Sequence, residues 1–262
     1  MSIATVDDYL IHYEVLGRGQ PVLFIHGWLG SWRYWWPSMQ GLSAQHRSFA
    51  IDLWGFGESS KVKSGYSLSA YIDMLSAFTV HMGMTRPLTL IGHGLGAITA
   101  LKYATKHPGQ VEKLVAVALP VNGTAVDARL LDMDVSNFSA KVLGKTESFS
   151  EVENELRKTD QEAVNKLVQE VRRNDFANDL ANCACPVMIL YGQNDSVVTP
   201  PAATNNHQMS AGNRYYVRLD NCGHFPMLEA KVQFNRLILE FMHADDTVTE
   251  LAPKEYWQRR TR

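Results

Sequence analysis

Residues 89–97 read "TLIGHGLGA". The first three close a short apolar run, "LTLIGHG" (88–94), the pattern of a strand buried on both faces of a sheet. Directly after it, "GAITALKYATKHP" starts with small residues, gains a basic last turn and stops at Pro108, which is how a helix is written. No loop separates the two, so the turn between them is very tight. Glycines at 92, 94 and 96 suit a place where neighbouring backbones crowd together.

Outward from this turn the same alternation repeats. "LIHYEVLG" (10–17) alternates and ends on glycine, as a strand and turn do. "PVLFIHG" (21–27), "RSFAIDLWGFG" centred on Phe49 to Leu53, "KLVAVALP" (113–120), "PVMILYG" (186–192) and "RYYVRL" (214–219) read as further strands. Between them lie helical stretches: "SLSAYIDMLSAFTVHMG", with a Ser cap and an end at Gly83, and "KVQFNRLILEFMHA". Strands alternating with helices predict βαβ units, hence an α/β fold with a mostly parallel central sheet flanked by helices. From Asn122 to Asn182 no strand is predicted. This segment carries scattered Met133, Phe138, Leu143, Phe149 and Leu156, and "SEVENELRKTDQEAVNKLVQEVRR" reads as helical. It is read as a helical lid, residues 122–182, inserted into a core of residues 1–121 and 183–262, with one structural domain overall.

The bulk numbers set limits. A chain of 262 residues holds one sizeable core. With 45% apolar and 20% charged residues it is ordinary globular material. A net charge of -2 without a basic block gives no footing for nucleic acid or an anionic membrane, and the short basic end "QRRTR" reads as a solvated tail. No apolar run reaches the roughly 18 to 20 residues that span a bilayer. The start lacks the basic-then-apolar form of a secretory signal. Cys183, Cys185 and Cys222 lack zinc-ligand spacing and read as reduced thiols in a cytoplasmic protein. No metal or organic cofactor is expected, and the oligomer is left open between monomer and homodimer.

Three distant motifs give the turn a context. "FIHGWLGSW" follows the second predicted strand, "LYGQNDSVV" places Asp195 past a late one, and "LDNCGHFPMLE" carries His224 near the end. "DLWGFGESS" (52–60) follows a third strand. In this order the motifs resemble those of the α/β hydrolases, in particular the lidded branch with esterases, C–C hydrolases and epoxide hydrolases. The resemblance covers roughly residues 10–243. It implies that position 94 is the nucleophile site of a G-x-S-x-G turn, here Gly94. It implies that the backbone N–H groups of Trp28 and Leu95 form the oxyanion hole, and that Asp195 orients His224 as the base. Around these the resemblance sets His26, Gly27, Trp54, His93, Phe138 and Phe225 in or beside a pocket for an apolar or aromatic small molecule.

Each residue also has a plainer role. His26 and His93 tether loops by hydrogen bonds, and Asp52 holds its own turn. Asp195 alone would serve an Asx turn. Cys222 packs, as do Trp32, Trp35 and Trp36. Asn122 occupies a place where some α/β hydrolases keep an alternative acid, but it is no carboxylate, which leaves Asp195.

Gly94 cannot form an acyl-enzyme. Three accounts of it stand: an engineered knockout of a serine hydrolase, a natural variant that binds without turnover, or an enzyme in which His224 activates water directly. The expected function is hydrolysis of an ester or related carbonyl compound. The alternative is a catalytically inactive ligand-binding or receptor-like protein on the same scaffold.

Overall fold

The computed structural model describes residues 2–132, 134–138, 150–201, 212–244 and 251–252. Met133, Leu143, Phe149 and the "QRRTR" end lie outside the described residues. The strands are β1 Ser2–Val6, β2 Tyr9–Gly17, β3 Gln20–Ile25, β4 His46–Ile51, β5 Leu88–His93, β6 Val111–Val117, β7 Val187–Gly192 and β8 Arg214–Leu219. They form one sheet in the order β1-β2-β4-β3-β5-β6-β7-β8. The β1–β2 and β2–β4 pairs are antiparallel; every other pair is parallel. The helices are α1 Trp36–Leu42, α2 Leu68–His81, α3 Leu95–Lys106, α4 Arg129–Asp132, α5 Val135–Phe138, α6 Ser150–Leu156, α7 Gln161–Arg172, α8 Ala177–Asn182, α9 Pro226–Glu229 and α10 Lys231–His243.

The inner strands β5 and β7 are buried at every position, which accounts for their unbroken apolar reading. Helix starts follow their caps: Ser67 Oγ accepts from the N–H of Ala70 at the head of α2. Helix α2 ends before Gly83, which takes a left-handed φ of 64°.

Two elements differ from the sequence reading. Strand β1 was not foreseen. Of its residues only Ala4 and Val6 are buried, and its turn into β2 is Asp7-Asp8, both at positive φ (48° and 65°). An edge strand with one weak apolar face and no Asn-Gly or Asp-Gly turn leaves little mark on a sequence. The helical run from Ser150 to Arg173 is two helices. It breaks before Asp160, whose carboxylate accepts from the Glu162 N–H at 2.9 Å to cap α7. The Asp160 N–H donates to the Gly55 carbonyl at 2.7 Å. A contact with a distant loop thus decides where the run divides.

Between Val121 and Cys183 the regular elements among the described residues are all helical. They rest on loops at the C-terminal ends of β3 and β4. Tyr66 Oη donates to Asp160 Oδ2 at 2.8 Å, and Glu170 accepts from the Leu68 N–H at 3.0 Å. Helix α6 packs on the turn Trp32–Trp35, where Arg33 Nε donates to the buried Glu155 at 2.9 Å. Lys158 pairs with Glu155 and with Glu58.

The tightest packing is where α3 starts. A Cβ on Gly96 would lie 2.2 Å from the Ile25 carbonyl oxygen and 2.6 Å from that of His26. Both contacts are to backbone, so the β3 end would have to move. Gly96→Ala should therefore cost at least the 1–3 kcal/mol of overpacking, about 3–10 °C in Tm by thermal melting. Gly83→Ala, with open space around its Cβ and only a positive φ to oppose it, should cost about 1–2 kcal/mol and a smaller drop. Equal losses at the two positions would show that the α3–β3 contact is not the tight one.

Candidate active site

The site residues converge on the C-terminal ends of β3, β5, β7 and β8, where open α/β sheets receive ligands. Gly94 links β5 to α3 at φ 52°, ψ -109°. Its N–H donates to the Val117 carbonyl at 2.9 Å, and its carbonyl accepts from Ala97 and Ile98 at 3.1 and 3.2 Å. A residue with a side chain would hold this conformation only at a cost of about 1–3 kcal/mol. The turn therefore has a backbone shape that glycine adopts without strain.

The volume beside Gly94 is occupied by Trp28. A Cβ at position 94 would lie 3.1 and 3.3 Å from Cζ3 and Cε3 of the indole, which is itself fully buried. The sequence reading sets the Trp28 N–H at the site and its side chain near the pocket; the structure adds that the ring flanks the position a side chain at residue 94 would take.

Asp195 and His224 form a buried pair. His224 Nδ1 lies 3.0 and 2.9 Å from Asp195 Oδ1 and Oδ2 and donates to the carboxylate. Asp195 Oδ1 also accepts from the N–H groups of Val197 and Val198 at 2.8 and 2.9 Å. The Asx-turn geometry and the pairing with histidine thus coexist in one side chain, and the turn fixes the carboxylate for the imidazole. The His224 loop is held in turn by Glu229, which accepts from the N–H groups of Gly223 and Phe225 at 2.6 and 2.9 Å. Glu229 was only a context residue in the sequence; its separation of five positions from His224, closing onto a helix start at α9, is the signal for this role. The far ring nitrogen, His224 Nε2, is buried and has no hydrogen-bond partner among the described residues.

The Gly27–Trp28 loop, expected to carry an oxyanion donor, is set by His26. Its Nε2 accepts from the Leu53 N–H at 2.9 Å, so Nδ1 carries the proton and donates to the Gly27 carbonyl at 2.8 Å. Burial lowers the His26 pKa and keeps the ring neutral in this tautomer. The peptide after Gly27 is trans, so anchoring its carbonyl turns the Trp28 N–H the opposite way. No described residue accepts from the N–H of Trp28 or of Leu95.

His93 commits both ring nitrogens to structure. Nε2 donates to the His224 carbonyl at 2.9 Å, and Nδ1 accepts from Tyr34 Oη at 2.9 Å. Burial drives the His93 pKa well below its usual value. Phe225 packs edge-on to His224 at 5.0 Å and lies 5.3 Å from His93. Tyr34 was not singled out in the sequence, since a tyrosine within an aromatic-rich stretch reads as core.

The other expected pocket residues have these contacts. Trp54 packs edge-on to Tyr9 at 5.9 Å, and its carbonyl accepts from Tyr71 Oη. Phe138 is fully buried at the end of α5, which packs on α4 and α6. Asp52 holds its loop, accepting from the Trp32 and Glu58 N–H groups and pairing with His12 at 2.8 Å. Asn122 caps its own turn by accepting from Thr124. A cavity of about 330 Å³ lined by Leu119, Val121, Leu180, Tyr191 and Arg214 includes none of the site residues. Among the described residues no cluster of histidine, cysteine or acidic side chains could hold a metal, and no helix is long and apolar enough to cross a membrane.

A buried histidine paired with a carboxylate, an N–H at the head of a tight strand–helix turn and an N–H on the loop after β3 are groups able to bind a carbonyl compound and take up a proton. Comparisons with known proteins agree on the scaffold. A family model described as "alpha/beta hydrolase fold" matches residues 20–151. The AB hydrolase superfamily protein YisY of Bacillus subtilis is 26% identical over 269 residues, covering 92% of this chain and 98% of that protein. The match to the probable lysophospholipase BODYGUARD 3 of Arabidopsis thaliana is 37% identical but local. It covers 106 residues, 38% of this chain, and the chain spans only 21% of that protein. Among solved structures, a glycine-for-serine mutant of an N-acyl homoserine lactonase complexed with N-hexanoyl homoserine lactone superposes with a TM-score of 0.79. It is 18% identical and covers 94% of this chain and 98% of that one. On the family match and the sheet, turn and motif order together, the chain belongs to the alpha/beta hydrolase fold family.

Proposed function

We propose that the chain hydrolyses a small ester or lactone, with Asp195 and His224 acting on a water molecule in place of a covalent nucleophile. The observation that carries this reading is the intact pair with His224 Nε2 buried and without a partner among the described residues. In a serine enzyme that nitrogen would receive the nucleophile's proton. A buried polar atom left unpaired costs about 1–3 kcal/mol, so a water or a substrate oxygen is its natural partner.

The steps follow from the geometry. The substrate carbonyl oxygen accepts from the Trp28 and Leu95 N–H groups. His224 Nε2 takes a proton from water as the oxygen attacks the carbonyl carbon. Asp195 stabilises the resulting imidazolium through Nδ1–H, and the imidazolium returns the proton to the leaving oxygen. The helices of residues 122–182 serve as a lid over this site, and the indole of Trp28 gives the pocket an apolar wall.

A second reading rests on the same indole. Crowding of the Cβ position by Trp28 is what a site adapted to bind without acyl transfer would show. The lactonase mutant with glycine for serine is complexed with N-hexanoyl homoserine lactone, which supports ligand binding as an outcome of such a substitution.

Two measurements separate these. In the first, turnover of short p-nitrophenyl esters and N-acyl lactones by the parent chain should fall about 10²–10⁴-fold in His224→Ala, the usual share of a general base. Asp195→Asn should lower it as well. No acyl adduct should appear by mass spectrometry. If the parent is inert but an N-acyl lactone raises Tm, the binding reading holds instead. In the second, Gly94→Ser should lower Tm by the strain of about 1–3 kcal/mol and form an acyl-enzyme slowly. Adding Trp28→Phe, a smaller ring, should speed acylation. A serine variant that folds, never acylates and is not helped by Trp28→Phe would show that no latent acyl-transfer site exists here.

A further inference from the structure

Three separate loops must be held at fixed distances for the proposed site to work: the oxyanion loop at Gly27–Trp28, the turn at Gly94 and the loop that carries His224. One chain of hydrogen bonds joins all three. The Gly27 N–H donates to Tyr34 Oη at 2.7 Å, Tyr34 Oη meets His93 Nδ1 at 2.9 Å, and His93 Nε2 meets the His224 carbonyl at 2.9 Å. Its direction is determined. A carbonyl only accepts, so His93 Nε2 carries the proton and Nδ1 is bare. Tyr34 therefore donates to Nδ1, and its remaining lone pair receives the Gly27 N–H. Every link has one donor and one acceptor, with no alternative tautomer.

The surroundings enforce this. His93 and Tyr34 are at most 1% exposed. Their rings meet edge-on at 5.5 Å, and Phe225 packs against Tyr34 at 5.6 Å. The His93 and His224 rings lie 4.3 Å apart. Burial raises the Tyr34 pKa well above its ordinary value, so its hydroxyl keeps the proton it donates. Burial likewise keeps His93 neutral, and a protonated ring would put a second hydrogen where Tyr34 donates. The main chain leaves room for the tyrosine only because residue 30 is glycine: a Cβ there would lie 2.1 Å from the Tyr34 ring.

We propose that Tyr34 and His93 are positioning residues, a hydrogen-bonded brace that sets the oxyanion loop and the base loop at their working separation. Neither touches the reacting atoms. Tyr34 acts through the Gly27–Trp28 backbone, and His93 acts through the His224 main chain. The proposal rests on the hydrolase reading of the site for its kinetic consequence, while the brace itself has a spectroscopic signature.

The test is Tyr34→Phe in the full chain, with Tyr103→Phe as the control. Tyr103 is a buried tyrosine whose hydroxyl donates to Gln110 in a bond outside the site. Two readouts are taken. With nitrogen-15-labelled histidine, NMR of the parent should show His93 with a bare Nδ1 and a protonated Nε2, and His224 with a protonated Nδ1. Tyr34→Phe should shift the Nδ1 resonance of His93 and the ring resonances of His224; Tyr103→Phe should move neither. In kinetics, Tyr34→Phe should lower kcat about 10–100-fold with KM changed less than about threefold, the size of effect of a misplaced reacting group. Tyr103→Phe should leave both unchanged.

Unmoved His224 resonances in a folded Tyr34→Phe variant overturn the brace. So does a kcat equal to that of the parent, or a loss that appears equally in Tyr103→Phe. If the parent turns over nothing, kinetics are read in Gly94→Ser. If that too is silent, the hydrolase reading has failed, and the NMR comparison alone decides whether Tyr34 positions His224.

Discussion

The site depends on one close approach, the start of α3 against the end of β3. Without a side chain at Gly96 the helix backbone comes within contact of the Ile25 and His26 carbonyls. That contact sets the Leu95 N–H beside the loop that carries the Trp28 N–H. Two N–H groups from elements far apart in sequence are thereby held in neighbouring loops, the kind of fixed donors that electrostatic stabilisation under the proposed function requires. The positive φ at Gly94 belongs to the same constraint: the chain must reverse within one residue to bring the helix back onto the strand.

Buried histidines then do two different kinds of work. His26 and His93 are neutral rings used as struts, each with one nitrogen donating to a carbonyl and the other accepting. His224 has one nitrogen on the Asp195 carboxylate, and its other nitrogen has no hydrogen-bond partner among the described residues. His12 shows the same bonding against Asp52, so bonding alone does not set His224 apart; its place does, with its ring 4.3 Å from that of His93 next to the Gly94 turn.

The alternation of apolar runs with amphipathic stretches made the parallel sheet legible, because strands covered on both faces have nowhere to place a polar residue. The order of Gly94, Asp195 and His224 made the site legible, because three distant loops carry recognisable local chemistry. Edge strand β1 was not legible, since its single apolar face holds Ala4 and Val6 only. The division of α6 from α7 was not legible either, because Gly55, about a hundred positions away, accepts the N–H that marks it. Tyr34 escaped notice for a similar reason. Its hydroxyl is meaningful only once the partners Gly27 and His93 are in place.

By itself the sequence determined the fold class, the tight turn with glycine at position 94, and the two distant loops that carry Asp195 and His224. These follow from local patterns: periodicity, caps, and short motifs whose geometry is built within a few residues. Only the tertiary structure decided that the Trp28 indole stands beside Gly94, that His93 anchors the His224 loop, and that Trp54 packs on Tyr9. Each is a contact between segments dozens of positions apart or a choice of side-chain direction. The energy of such a contact resides in both partners at once, so neither stretch of sequence carries it alone.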